Sequence, residues 1–367
     1  MAARTEIFSR AQRWMDLRNS TGFSLRAPET LILGVNNVCN LHCVMCDVGT
    51  NSTETNFARS LTGTQPINMP MTLLQHVVDQ ASLFSPRPDI GFAFTEPGIY
   101  PHLVQGIAYA HGAGFRSTLT TNGFTLTKLA GGLIDAGLDR LYVSLDGPPE
   151  IHDRVRGKRG SFEAVRTGIQ SLHAIKPIPT EIFFAVTNEN YTHIGEFVNS
   201  LSVLSISSVT IMHTNFVTPE MAQRHNAQFD TSYRATVSSM AAFHPEAIDV
   251  SLLAQELDRV TGPDRYAFPI HVQPPILSEG DIRSYYHDHR SAIGKRCIDP
   301  WKYLMVKSNG DVIAAHGRCY DVNIGNISRD PLTVIWNSER MKTFRQTLMK
   351  AGGLLPACFR CCGGFST

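Results

Sequence analysis

The residues best equipped for chemistry in this 367-residue chain are its eight cysteines, and their placement is uneven. Cys39, Cys43 and Cys46 stand together near the start, and residues 47–296 hold none. Cys297, Cys319, Cys358, Cys361 and Cys362 then crowd the C-terminal part. A secreted disulfide scaffold spreads its cysteines through a short chain. Clustered cysteines in a long chain bind metal or do redox chemistry. Cys39-Asn-Leu-His-Cys43-Val-Met-Cys46 offers three thiolates on one loop. Structural zinc takes four ligands, and His42 would have to fold back between two cysteines to supply the fourth. An iron–sulfur cube held by three cysteines keeps one iron open to a substrate or cofactor.

The elements around these residues alternate. Thr30–Asn36 reads as a buried strand that leads into the first cysteine group. Further strands are expected at Asp89–Phe94, Arg116–Thr120, Leu138–Leu145, Thr180–Thr187 and Ser207–His213. Helical patterns lie between them at Met71–Phe84, where Pro70 suits a helix start, and at Lys128–Ala136, Ser161–Ala174 and Tyr191–Leu204. Six strands separated by helix-sized segments imply a parallel sheet with right-handed crossovers, apolar on both faces. That is a β/α barrel, open or closed, with its chemistry at the C-terminal strand ends. Beyond His213 the pattern breaks into a helix at Asp249–Val260, a Pro-interrupted strand at Tyr266–Ile276 and a helix at Glu279–His287. A hairpin, Tyr303–Lys307 and Asp311–Ala315, turns at Ser308-Asn309-Gly310, and a helix follows at Leu332–Met349.

The cysteine spacing, three residues and then two, resembles the signature of the radical S-adenosylmethionine (radical SAM) superfamily, and motifs behind it extend the resemblance. Phe94-Thr95-Glu96-Pro97 stands where family members usually carry Gly-Gly-Glu-Pro. Thr120-Thr121-Asn122-Gly123 follows the third strand, and Ser144-Leu145-Asp146-Gly147 closes the fourth. The resemblance implies a 4Fe–4S cluster on Cys39, Cys43 and Cys46, with SAM chelated at the open iron. It places Glu96 on the SAM amine and Asn122 beside it. Ser144 would lie near the ribose with Asp146 close by, Arg156 on the carboxylate with Arg154 in reserve, and Asn188 near the adenosine. Met45 replaces the usual aromatic before the last cysteine and still offers the purine an apolar contact. With both glycines missing, the Phe94-Thr95 loop is expected to take a different shape.

The later cysteines resemble the superfamily's SPASM/twitch extension: a Cys–hairpin–Cys unit, Ile324-Gly-Asn-Ile327, Val334-Ile-Trp-Asn337 and Cys358-Phe-Arg-Cys361. The resemblance implies a second, auxiliary 4Fe–4S cluster on Cys297, Cys319, Cys358 and Cys361, with Cys319 taking a role usually held at the position of Ala315. Zinc would suit four thiolates equally well. Cys362 could replace Cys361 as a ligand, sit inert or donate a hydrogen atom to the substrate. The expected fold class is therefore α/β, a partial (β/α)6 TIM-like barrel with a small C-terminal twitch/SPASM-like hairpin-plus-helix domain. Its expected divisions are an N-terminal helical extension (1–29), the barrel core (30–215), a connecting segment (216–295) and the auxiliary domain (296–367).

Composition narrows the partners. Lys+Arg number 33 against 32 Asp+Glu, which removes the electrostatic argument for nucleic acid or a membrane surface. No apolar run is long enough to span a bilayer, and charges interrupt any signal-peptide stretch at the N-terminus, so a cytoplasmic protein is expected. The resemblance implies an enzyme that takes an electron from an external donor of flavodoxin or ferredoxin type. It would cleave SAM to a 5′-deoxyadenosyl radical and abstract a hydrogen atom from its substrate. Oxidation, epimerisation and C–C bond rearrangement or formation all fit. Only 38 residues precede Cys39, fewer than a peptide-binding domain of the usual kind needs. A small polar metabolite such as a sugar, aminocyclitol or nucleoside is thus the first expectation. A peptide- or protein-modifying maturase is the second, and a non-catalytic iron–sulfur or zinc protein the third. His213, His316, Tyr320 and Arg360 are candidates for the substrate site.

Overall fold

A computed structural model describes residues 21–61, 65–229, 233–238, 243–262, 265–315, 319–320 and 322–365. The expected N-terminal helix before residue 21 and the candidate His316 lie outside the described residues. Ten strands form one sheet in the order β10-β9-β8-β1-β2-β3-β4-β5-β6-β7. The six expected strands are β1 (Thr30–Gly34), β2 (Asp89–Phe92), β3 (Ser117–Thr121), β4 (Arg140–Ser144), β5 (Thr180–Ala185) and β6 (Ser208–Met212). Each is parallel to its neighbour. Helices at Met71–Ala81, Leu103–Gly112, Leu126–Asp135, Ser161–Ile175 and Ile194–Ser200 make the crossovers. Leu31, Leu33, Phe92, Leu119, Leu141, Val143, Ile182, Phe184 and Ile211 are fully buried under them. Removing that much apolar surface from water is the main force that holds the sheet and helices together.

Two features depart from the sequence expectation. Burial alternates along β1, β3, β4 and β5, so only one face is sealed by helices. The other face carries half-buried residues, among them Tyr142 stacked on Phe183 with centroids 5.0 Å apart, and Arg140 paired with Glu181. An open, curved sheet leaves its concave side to the solvent and to ligands, and side chains of both kinds appear there. The parallel run also continues past His213. The Pro-interrupted segment becomes β7 (Ile270–Gln273), an edge strand parallel to β6, where proline is tolerated.

The C-terminal hairpin joins the same sheet. Its first strand, β8 (Tyr303–Lys307), pairs in parallel with β1 over five positions. β9 (Asp311–Ala314) and β10 (Asn323–Asn326) then extend the sheet antiparallel. The long helix expected after it is split by Trp336–Ser338 into Leu332–Ile335 and Glu339–Lys350, the second capped by Ser338 on the Met341 N–H. No helix among the described residues is long and apolar enough to cross a membrane.

Candidate active site between two cysteine groups

The two cysteine groups lie in loops that flank neighbouring strands of the one sheet. Cys39–Cys46 follows β1, at the C-terminal end of the parallel strands. Cys297 precedes β8, and Cys319 comes after β9, which runs back along it.

The first group is a loop pinned on both sides. The His42 and Val44 amides donate to the carbonyls of Arg156 and Val155, at 3.2 and 2.9 Å, which zips the cysteines onto the end of the Pro149–Val155 helix. Gly157 permits that approach. Its φ is +62°, and a Cβ there would stand 2.4 Å from the His42 carbonyl oxygen. Cys43 is buried, Cys39 and Cys46 are half-buried, and His42 points into solvent rather than back between the thiols. Leu41, Met45 and Val155 pack around Cys43, and Cys46 packs against Phe57, Met305 and Ile313, so the hairpin strands touch this loop.

Polar groups close in from the strand ends. Arg156 is ion-paired with the fully buried Asp146, Nε to Oδ2 at 2.5 Å, and its Nη1 lies 3.7 Å from Cys43 Sγ. Asp146 Oδ1 accepts from the Ala185 amide, and the Asp146 amide donates to His152 Nδ1. Asn122 Nδ2 donates to Asn40 Oδ1 at 2.8 Å and lies 3.9 Å from Cys39 Sγ. Ser144 ends β4 on the open face of the sheet, in register with Phe183. Burial pushes the Cys39 thiol up, and pushes Cys43 up to about 12 although the Arg156 guanidinium opposes it. Buried thiols become thiolates when a cationic metal group supplies the missing charge, which is the fit expected of cluster ligands. Among the described residues no three His, Cys, Asp or Glu side chains converge on a single-ion position.

Two expected SAM contacts have other employment within the chain. Glu96 is fully buried, and its carboxylate accepts from Gly98 N, Thr121 Oγ1 and Asn122 N at 2.6, 2.6 and 2.7 Å. It ties the end of β2 to the end of β3. Asn188 exchanges two hydrogen bonds with the backbone of His244 at the surface, and Arg154 pairs with Glu189. The inner asparagine near Asp146 is Asn190, which donates to the carbonyls of Asp146 and Ala185. Sequence reasoning missed it, since Asn188 and Asn190 stand two apart in one turn.

The Phe94-Thr95 loop takes a strained backbone. Both residues adopt the left-handed backbone that glycine favours, at φ +67° and +46°. Thr95 Oγ1 lies 2.6 Å from Asn36 Oδ1 and 3.0 Å from the Asn36 carbonyl, and Phe94 meets the edge of Phe57. Those contacts hold the turn that glycine would make without strain.

Of the later cysteines, Cys297, Cys319, Cys358 and Cys361 line one cavity, together with Ala315 and Asp299. Burial raises the thiols of Cys297, Cys319 and Cys358, and for Cys361 the contact with Cys362 is the largest cause. Cys362 is not among the lining residues; its Sγ lies 3.4 Å from Asn215 Nδ2, and its amide donates to Asn215 Oδ1. Tyr320 OH stands 3.4 Å from Cys358 Sγ. The cavity reaches back to Asp47, the residue after Cys46, and to Phe57. The cavity lined by the later cysteines therefore reaches the residue next to Cys46.

The remaining candidates are structural in this arrangement. His213 is buried between Tyr285 and Tyr286, accepts at Nδ1 from Tyr286 OH and donates at Nε2 to the Ile276 carbonyl. Arg360 is fully buried, with its guanidinium on the carbonyls of Tyr285, Ser291, Phe359, Ser284 and Asp288.

Comparison with known proteins agrees with this geometry. A family model described as the Radical SAM superfamily matches residues 34–201, and an iron–sulfur cluster-binding domain model, SPASM, matches residues 297–362. The chain is 23% identical to an Fe-coproporphyrin III synthase of Methanosarcina barkeri, over 92% of this chain and 82% of that protein. It is 29% identical to an AdoMet-dependent heme synthase of the same organism, over 87% and 84%. Among solved structures, Streptococcus suis SuiB bound to S-adenosylmethionine superposes with a TM-score of 0.61 at 13% identity, covering 94% of this chain and 73% of that one. At that identity the likeness concerns the fold.

Proposed function

This chain is a radical SAM enzyme with a C-terminal SPASM-type iron–sulfur domain, and from that premise we propose that it abstracts a hydrogen atom from a small polar metabolite seated between its two cysteine groups. In this reading Cys39, Cys43 and Cys46 hold the SAM-binding 4Fe–4S cluster, and Cys297, Cys319, Cys358 and Cys361 hold the auxiliary one. When bound and reduced by an external donor, that first cluster with SAM would supply the 5′-deoxyadenosyl radical chemistry needed for the hydrogen abstraction.

The protein's share is placement and exclusion of water. Leu41, Met45 and Val155 form the apolar wall behind Cys43, where a purine would find contact. Glu96 fixes Asn122 through its amide, and Asn122 Nδ2 faces Cys39. Ser144 offers a hydroxyl on the open face of the sheet. Arg156 stands against Cys43 and is held there by Asp146.

The observation that carries the reading is the cavity running from Asp47 to the auxiliary cysteines. Its lining is mainly apolar, with Asn56, Asn215, Thr236 and Ser238 as the neutral polar groups set among aromatic and aliphatic residues. Oxidation, epimerisation and C–C bond rearrangement or formation are the outcomes this arrangement supports. A second reading comes from the two long relatives, whose names place tetrapyrroles as their products. Among the described residues the cavity is lined by one arginine, Arg360, and its guanidinium is engaged by backbone carbonyls.

The test is anaerobic incubation of the reconstituted, dithionite-reduced protein with SAM, followed by mass-resolved chromatography. The expected result is 5′-deoxyadenosine that vanishes in Cys43→Ala. An intact, reducible cluster whose paramagnetic spectrum does not respond to SAM would overturn the reading. Deuterium transfer into 5′-deoxyadenosine from labelled polyols or from a labelled tetrapyrrole then separates the two substrate classes.

A further inference from the structure

The auxiliary cysteines are enclosed on the cavity side, yet the segment that bears two of them also reaches the outer surface. Phe359, between Cys358 and Arg360, lines a second groove on the far side of that segment. The Arg224 guanidinium lies over its ring at 5.2 Å, and Arg224 is anchored by donating to the carbonyls of His289 and Arg290. Arg290 and Lys350, both exposed, complete the charged lining, which holds no carboxylate among the described residues. Glu220 reaches Arg290 from beside it, at 3.4 Å. Lys295 and Arg296 are exposed immediately before Cys297, and the Lys295 carbonyl and Arg296 lie against Gly353.

Five cations thus gather around the segments that carry Cys297, Cys358 and Cys361, in a chain whose Lys+Arg and Asp+Glu number 33 and 32. The concentration is local and does not follow from composition. Lys350 ends its helix and Arg290 lies in a loop, so the two long side chains project from different elements around one aromatic floor.

We propose that this basic groove docks an acidic one-electron carrier protein and is where electrons pass between that carrier and the auxiliary cysteine centre. The inference rests on the cluster assignment given under Proposed function. Phe359 is covalently next to Cys358, so a carrier seated on the groove stands one residue from a cluster ligand. Transient electron-transfer contacts are small, and complementary rim charge governs their encounter rate more than their affinity. Each productive encounter moves one electron: the reduced carrier is oxidised by one and the auxiliary centre is reduced by one.

The test uses the full-length, anaerobically reconstituted protein and a reduced [2Fe–2S] ferredoxin, mixed by stopped flow at several salt concentrations. Arg290→Glu, Arg296→Glu and Lys350→Glu together are expected to slow electron transfer about tenfold or more at low salt and to flatten its salt dependence. Glu220→Gln, which removes the flanking carboxylate, is expected to speed it. SAM cleavage driven by dithionite, which needs no docking, stays unchanged in the triple variant, and about eight irons and eight labile sulfides per chain show that both centres are loaded. The slowing persists in a Cys39→Ala/Cys43→Ala/Cys46→Ala background, where only the auxiliary centre remains to be reduced. A rate within about twofold of the unsubstituted protein at low salt, or loss of the effect in that background, overturns the proposal. If the unsubstituted protein fails to cleave SAM with dithionite, it is the cluster assignment that fails and not the groove.

Discussion

Arg156 reaches Cys43 because Asp146 holds it there: the Nε–Oδ2 pair is 2.5 Å long, with side-chain exposures of 11% and 0%. A carboxylate so enclosed is strongly disfavoured without its partner, and burial does raise Asp146 although the guanidinium opposes it. Arg156→Met is expected to cost about 3–5 kcal/mol of stability, the usual penalty for breaking a buried pair from one side. Removing both charges in Asp146→Leu/Arg156→Met recovers part of that loss. Urea unfolding of the four cycle members checks it, and single losses that simply add would mean the two residues do not act as a pair.

The turn after β2 stores strain at Thr95, a β-branched residue at φ +46°. Its hydroxyl contacts with Asn36 offset that strain. Thr95→Asn tolerates left-handed backbone and keeps a polar group facing Asn36. It is expected to raise stability by about 0.5–1 kcal/mol, measured as a higher urea midpoint at unchanged slope. A drop in the midpoint would show that the hydroxyl contacts outweigh the strain.

His213 gives the fold a defined acid sensitivity. Burial lowers its pKa from 6.5 to about 4, with the hydrogen bond to Ile276 opposing. Between those values the unfolded chain binds a proton that the folded protein refuses. Stability from this residue is therefore complete above about pH 6.5 and is lost as pH falls toward 4. At about 1.4 kcal/mol per pH unit the loss is roughly 3 kcal/mol. His213→Gln is expected to flatten the dependence of the urea midpoint on pH across that window. An unchanged slope would assign the acid sensitivity to other groups.

Strands such as β1 and β5 were legible because each holds a short apolar run bounded by turn signals, seen at Leu31–Leu33 and Ile182–Phe184. The cysteine groups were legible because thiols so spaced have few other uses. What the sequence did not carry was pairing at a distance. Nothing local to Tyr303–Lys307 says that it lies beside β1, yet that register brings the hairpin against Cys46. Nor does local pattern reveal that Glu96 has three intrachain donors, or that Asn190 rather than Asn188 faces Asp146. Those facts belong to the meeting of strand ends, which only the fold creates.

The assignment of Cys319 over Cys362 is open to a direct count. Cys319 lines the cavity with Cys297, Cys358 and Cys361, while Cys362 is held by Asn215 through both its amide and its sulfur. Two 4Fe–4S clusters require about eight irons and eight labile sulfides per chain after anaerobic reconstitution. Cys39→Ala/Cys43→Ala/Cys46→Ala is expected to retain about four of each, and Cys319→Ala about four as well, since an auxiliary cluster short of a ligand is lost. Cys362→Ala is expected to keep all of them, because its thiol is outside the ligand set. Iron, zinc and acid-labile sulfide measured on the same samples decide it. A full complement in Cys319→Ala with a deficit in Cys362→Ala would exchange the two roles. About four irons with bound zinc in the unsubstituted protein would make the C-terminal centre a zinc site, which four thiolates can hold equally well once they have converged.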